Sequence, residues 1–135
     1  MKRWQLRFQN FNRAFLQLEN ALKIVSPSDV EREGIIQRFE YTFELAWKVL
    51  QDYLKEMGTE ELSGPKQVII EANSKNLIRN GEIWLKMLEA RNIASHEYSE
   101  PKILIIYKAI VEYYFSLLAN FNSDFNFKIL NDGWN

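Results

Sequence analysis

The residue types best suited to acid–base and phosphate chemistry lie close together between positions 91 and 98. Arg91 comes five residues before His96, the only histidine of the 135-residue chain, and Tyr98 follows two residues later. Histidine exchanges a proton readily near neutral pH, and the arginine guanidinium is a fixed fork of donors that suits a phosphate. Together they meet the needs of RNA phosphodiester cleavage, which are proton transfer at the 2′-hydroxyl or leaving oxygen and neutralisation of charge on the phosphorane. That route needs no metal ion.

The spacing of Arg91 and His96 constrains this interpretation. On a straight α-helix, five residues set two side chains about 140° apart, so they share a face only if the helix ends or bulges between them. The following Pro101 is compatible with such an end.

Cleavage also needs an acid and a base, whereas one chain holds one histidine. A two-fold dimer with this stretch at its interface supplies two histidines and two arginines, so a catalytic site predicts a homodimer.

A structural role for the same residues stays open. A histidine at a helix end is commonly a cap or a surface residue whose charge suits the end of the helix dipole. Glu40 and Glu44, one helical turn apart, form another candidate polar pair. A solvent-exposed face, or an ion pair between Glu44 and Lys48, is the favoured explanation of these two glutamates.

Composition excludes several classes of site. The chain has no cysteine, so disulfides and thiolate metal centres are excluded, and a lone histidine rules out a histidine-rich metal site within one chain. We predict no metal and no cofactor. With 18 acidic and 17 basic residues, the chain is not a general nucleic-acid coat protein, which is normally strongly basic.

The sequence also predicts neither a signal peptide nor a membrane-spanning segment. Charged and polar residues appear among the first five positions, too early for a signal peptide. The longest apolar run, residues 103–106, is far too short to cross a bilayer. We therefore expect a cytoplasmic protein that does not enter the membrane.

Hydrophobic periodicity predicts an all-α fold. Apolar residues from Trp4 to Val25 recur at alternating steps of four and three, which is typical of a bundle helix. Ser28 and Glu31 read as a capping box that begins the second helix, and Pro65 suits the first position of another. The predicted helices are residues 3–25, 29–57, 66–74, 82–94 and 101–121.

Short connections between amphipathic helices favour antiparallel neighbours. We predict an antiparallel up-and-down bundle of four main helices plus a short fifth helix. The apolar stripe of the last helix is wide, which favours a second subunit as an additional neighbour. Residues 1–121 form the predicted bundle, and residues 122–135 are interpreted as a C-terminal tail, docked or loose.

The motif Arg91-x4-His96-x-Tyr98 resembles the Arg-x4-His-x-Tyr motif of HEPN-domain proteins, in particular the HepT toxins. Three longer blocks resemble the branch called nucleotidyltransferase substrate-binding proteins, and the likeness runs from about residue 8 to residue 118. The blocks are RFEYTFELAWK (38–48), GPKQVI (64–69) and GEIWLKMLEARN (81–92).

The resemblance implies a dimeric helical bundle that works with a separate small nucleotidyltransferase of the MntA type. In HepT-like pairs the bundle protein is a ribonuclease toxin, and its partner neutralises it by attaching AMP to the motif tyrosine. By this resemblance, Arg91 and His96 are catalytic, Asn92 is the supporting polar residue and Tyr98 is the AMPylation site. The alternative for this branch is a non-catalytic subunit that binds substrate for the transferase.

Overall fold

The fold is a helical bundle, seen in a computed structural model that describes residues 1–96 and 99–132, with the side chain of residue 132 left out. The helices are α1 (Arg3–Ala21), α2 (Asp29–Glu56), α3 (Pro65–Ser74), α4 (Gly81–His96), α5 (Glu100–Ala109) and α6 (Phe115–Asp132). A π-helical turn (Ile110–Tyr114) joins α5 to α6 without a break.

The four main helices are α1, α2, α4 and the continuous α5–α6 helix. Helix α1 packs along α2 and also contacts α6, while α4 contacts α2, α5 and the short α3. The described residues contain no strand. The predicted all-α bundle of four main helices and a short fifth is therefore confirmed. A single chain does not test the predicted dimer.

The residues predicted to begin α2 and α3 are found at the starts of these helices. The Ser28 hydroxyl accepts a hydrogen bond from the Glu31 amide, and the Glu31 carboxylate accepts one from the Ser28 amide. Pro65 occupies the start of α3. After α2, Gly58 adopts a φ of +92°, a conformation in which glycine carries no Cβ penalty.

Helix α1 ends at Ala21, so the prediction that it reaches residue 25 is wrong. The apolar seam is buried through Leu18, but Val25 is 88% exposed, so packing gives no reason to continue the helix. The amides of Lys23 and Ile24 form turn hydrogen bonds instead, and Ser26 takes a left-handed φ of +52°.

The last helix extends to Asp132, so the prediction that it ends near residue 121 is wrong. Beyond Phe121, the side chains of Phe125 and Ile129 remain buried in the same core. Phe125 packs edge-on against Trp4 and Tyr53, which ties the segment after Phe121 to α1 and α2. Residues 133–135 lie outside the described part of the chain.

The π-helical turn explains how so long a helix keeps one buried stripe. In the continuous α5–α6 helix, the buried residues from Ile106 to Leu118 are spaced by successive steps of four, which exceed the 3.6-residue period of an α-helix. The wider π turn absorbs this excess. The stripe comprises Ile103, Ile106, Ile110, Tyr114, Leu118, Phe121, Phe125 and Ile129.

The helix Glu100–Asn131 is also long and apolar enough to cross a membrane by length and composition alone, with a mean hydropathy of 1.4 over its most apolar window. Core helices of bundles pass the same test. Only 28% of that window is buried, so its hydropathy comes from exposed apolar residues of α5 and α6 as well as from the stripe that packs into the shared core.

Candidate active site

The last two turns of α4 hold Arg91, Asn92 and His96, and Arg91 is the one of these directed towards another helix. Its side chain is 24% exposed, and its Nη2 donates a hydrogen bond of 2.5 Å to Oε2 of Glu44 on α2. Its Nη1 donates to Oδ1 of the neighbouring Asn92 at 2.8 Å. The guanidinium is thus held from two sides in a fixed orientation.

The carboxylate of Glu44 is the electrostatic partner of Arg91. Burial raises the pKa of Glu44, but the hydrogen bond from Arg91, the indole of Trp47 and the charges of Arg91 and Lys48 outweigh burial and lower this pKa below its ordinary value. Lys48 lies 3.6 Å from the other carboxylate oxygen. Glu44 is therefore ionised at neutral pH.

An open depression of about 480 Å³ surrounds this pair. Its lining residues come from the outer face of α2 and the end of α4: Gln37, Glu40, Tyr41, Glu44, Arg91 and Ser95. The Ser95 hydroxyl donates to the Arg91 carbonyl at 2.9 Å and lies 3.5 Å from Oε2 of Glu40. Donors and carboxylates therefore alternate around a space that is accessible to solvent.

His96 does not line this depression. It is exposed in the last turn of α4, which is helical without interruption from Gly81. Because no end or bulge falls between the two residues, the side chains of Arg91 and His96 point about 140° apart. The structure therefore does not bring the two predicted catalytic residues together within one chain. At the end of α4, His96 also occupies a position that suits a positive charge. This placement agrees with the alternative interpretation of His96 as a surface residue at a helix end.

The remaining predicted site residues are Asn92 and Tyr98. Asn92 is exposed, and its Oδ1 accepts a hydrogen bond from Arg91. Tyr98, the predicted modification site, lies outside the described residues.

Sequence reasoning missed the role of α2 in this site. It interpreted Glu44 as a partner of Lys48, which is correct but incomplete, because the shorter contact is to Arg91, 47 positions away. The available signal was the occurrence of Glu40 and Glu44 within one of the blocks shared with the resembling family. Among the described residues, no group of three or more potential metal-ligating side chains is found.

Comparison with known families matches residues 6–126 to the family described as nucleotidyltransferase substrate binding protein like. A Haemophilus influenzae protein named probable ribonuclease HepT is 31% identical in an alignment 84 residues long that covers 59% of this chain and 58% of that protein. The alignment thus spans less than two thirds of that relative.

Two solved structures share the fold over most of their length. A Thermus thermophilus protein has a TM-score of 0.74 and 37% identity, with 81% of this chain and 92% of that chain covered. A Haemophilus influenzae protein, described as having the fold of a substrate binding domain of a nucleotidyltransferase, has a TM-score of 0.76 and 25% identity, with 87% and 97% covered.

Proposed function

The chain belongs to the nucleotidyltransferase substrate binding protein like family, and from this premise we propose that it is a HepT-type ribonuclease that works with a separate small nucleotidyltransferase. The observation that carries the proposal is the Arg91 guanidinium, fixed between Glu44 and Asn92 at an open depression, in a sequence that also supplies His96. The similarity to probable ribonuclease HepT supports the same conclusion.

The proposed reaction is cleavage of RNA without a metal ion. The 2′-oxygen attacks the adjacent phosphorus and loses its proton to a base, while the bond from phosphorus to the 5′-oxygen breaks and that oxygen receives a proton from an acid. Arg91 stabilises the charge on the phosphorane, and His96 takes the proton from the 2′-hydroxyl as the base and returns it to the 5′-oxygen as the acid. The products are a 2′,3′-cyclic phosphate and a 5′-hydroxyl.

A homodimer completes this site. Arg91 and His96 diverge on one α4, so we propose that the histidine of one copy reaches the arginine depression of the other across a two-fold axis. Exposed apolar side chains on α4 and on the neighbouring α5 support an interface on this side of the bundle. Ile93 lies one turn before His96 and is 42% exposed, while Leu104 and Ile105 in the middle of α5 are 41% and 67% exposed.

Digestion of RNA in EDTA tests the activity. The wild-type dimer should cleave, and Arg91→Ala and His96→Ala should each lose cleavage. If wild type and His96→Ala degrade RNA equally, the activity is a contaminant and the proposal fails.

Mixing the two inactive variants tests the shared site. A heterodimer of Arg91→Ala with His96→Ala rebuilds one of its two sites only if each site takes residues from both copies. Since random exchange makes half of the dimers mixed, about a quarter of wild-type activity should return. No recovery after verified subunit exchange would place both residues in one copy.

Disruption of the apolar surface tests the dimer itself. Ile105→Glu should shift the protein to monomers in sedimentation and abolish cleavage, since a buried unpaired charge at an interface is costly. Val30→Glu is the matched control, because Val30 is 78% exposed on α2 and the change adds the same charge elsewhere. A dimer that survives Ile105→Glu would move the interface to another surface.

We further propose that the partner nucleotidyltransferase attaches AMP to Tyr98 and so inactivates the ribonuclease in the cytoplasm. With the partner and ATP, the intact mass should rise by one or more adenylyl groups, and Tyr98→Phe should prevent the rise. An active partner that leaves the mass unchanged would remove this part of the proposal.

The second candidate is a non-catalytic subunit that binds substrate for the nucleotidyltransferase. The family description and the solved Haemophilus influenzae substrate-binding domain favour it. It predicts no RNA cleavage, no growth arrest when the protein is expressed alone, and transferase activity only when both proteins are present. Growth arrest that depends on His96 would exclude it.

A further inference from the structure

A continuous groove leads away from the candidate active site along the outer face of α2. The Arg91 depression shares Gln37 and Tyr41 with a second depression of about 320 Å³. That depression shares Gln17, Gly34 and Arg38 with a third of about 420 Å³, which reaches the end of α1. From Glu31 to Glu44 the groove follows about 20 Å of helix at 1.5 Å per residue.

We propose that this groove holds the single-stranded RNA next to the scissile phosphate. The inference rests on the proposed ribonuclease function and adds the position and the mode of substrate binding. Its central element is Tyr41, which is 58% exposed at the junction with the Arg91 depression. An exposed aromatic ring beside a phosphate-binding arginine is suited to stack an unpaired base.

The polar residues of the groove are suited to base edges. Gln17, Asn20 and Gln37 are exposed amides along its walls, and each can both donate and accept hydrogen bonds. Arg38 is exposed between them and donates to Oε1 of Gln17 at 3.2 Å. An amide-lined groove of this kind reads unpaired bases by their hydrogen-bonding edges.

The charges of the groove predict how the binding responds to salt. Arg38 and Arg91 are its cations, opposed by the carboxylates of Glu31, Glu40 and Glu44. At most two phosphates are therefore neutralised, and affinity should fall only about sevenfold between 50 and 200 mM salt, whereas six to ten phosphate contacts to a single strand would cost about three-hundredfold or more. Stacking and amide contacts, rather than phosphate attraction, then supply most of the affinity.

Gly34 offers a way to fill the groove without disturbing the fold. It lies within α2, and a Cβ added there meets nothing within 4 Å. Gly34→Leu therefore places a branched side chain in the open groove, while Gly34→Ala makes the same backbone change and leaves most of the space empty. Tyr41→Ala removes the ring, and Tyr41→Phe retains it.

The test is fluorescence anisotropy of a labelled short single-stranded RNA of mixed sequence, with the full chain in the uncleaving His96→Ala background. Gly34→Leu should bind roughly five- to hundredfold more weakly than Gly34→Ala, and Tyr41→Ala should show a similar loss against Tyr41→Phe, which is the range for one stacked base. Unfolding midpoints of all variants show whether each is folded.

Several outcomes overturn the inference. Equal RNA binding by Gly34→Leu and Gly34→Ala would show that the groove carries no RNA, and a steep salt dependence would place the strand on another, basic surface. Loss of the nucleotidyltransferase complex in Gly34→Leu, with RNA binding intact, would assign the groove to the partner protein. If wild type cleaves RNA and the groove variants cleave equally well, the groove alone is refuted. If wild type binds through the groove but does not cleave, the ribonuclease proposal alone is refuted.

Discussion

The ion pair between Arg91 and Glu44 should couple the two side chains energetically, and its magnitude can be worked out from the structure. The pair is close, at 2.5 Å, with the side chains 24% and 33% exposed. At an effective dielectric constant of about 20, unit charges about 4 Å apart attract by about 4 kcal/mol. Partial exposure, salt and competition from Lys48 reduce this. We expect a coupling free energy of about 1–2 kcal/mol, above that of exposed pairs and below the loss when a fully buried pair is broken.

A double-mutant cycle measures this coupling. Urea unfolding of wild type, Glu44→Gln, Arg91→Gln and the double variant gives four free energies of unfolding, at one protein concentration because any dimer makes stability depend on concentration. The matched control is the local helix pair of Lys75 and Glu71, 3.2 Å apart with side chains 45% and 32% exposed, for which about 0.3–0.5 kcal/mol is expected. A coupling for Arg91 and Glu44 no larger than this control would refute the argument that α2 holds the guanidinium in place.

Three further predictions concern single residues. The pKa of Glu44 is lowered in the folded protein. The ionised carboxylate therefore contributes its full stabilisation above its ordinary pKa, and this stabilisation is lost as the pH falls through the lowered folded value. In urea titrations below about pH 4.5, Glu44→Gln should consequently lose less stability than wild type. Gly81→Ala should destabilise the fold by more than about 1 kcal/mol, because the added Cβ would lie 2.5 Å from Cγ of Asn73. Gly34→Ala lies in open space and should instead stabilise the fold by about 0.5–1 kcal/mol. Equal unfolding midpoints for the two variants would contradict both predictions. Phe125→Ala should cost about 3–5 kcal/mol in the free energy of unfolding, and a loss below about 1 kcal/mol would show that the end of α6 is not part of the core.

The periodicity of the sequence predicts the helices well where one face is buried, and poorly where burial stops or polar residues interrupt the pattern. The seam of α1 holds to Leu18, but its pattern includes Val25, an apolar residue that the fold leaves exposed. The periodicity of the last helix predicts it correctly through the π-helical turn to Phe121. Its remaining length is missed because residues 122–124 are Asn, Ser and Asp, which are typical of helix ends, although Phe125 and Ile129 continue the buried stripe.

The candidate site shows a different limit of sequence reasoning. Arg91 and His96 stand out because their residue types suit the chemistry and lie close in the sequence. Glu44 does not stand out, because a glutamate four residues before a lysine is an ordinary exposed helix pair. Only the packing of α4 against α2 reveals that this carboxylate also binds Arg91, and that contact joins positions too distant for local pattern to predict.

Under the proposed function, the uninterrupted course of α4 makes cleavage depend on assembly of two copies. A helix that ended after Arg91 would let one chain fold its arginine and histidine into one cleft. Instead the helix continues to His96, and its rigidity fixes the guanidinium against α2 while the imidazole faces solvent about 140° away. Under the proposed function, a folded monomer then has a phosphate site without a proton donor, and a proton donor without a phosphate site. Cleavage would appear only at concentrations that support the dimer, and any group placed at the end of α4 that separates the two copies would silence both sites at once.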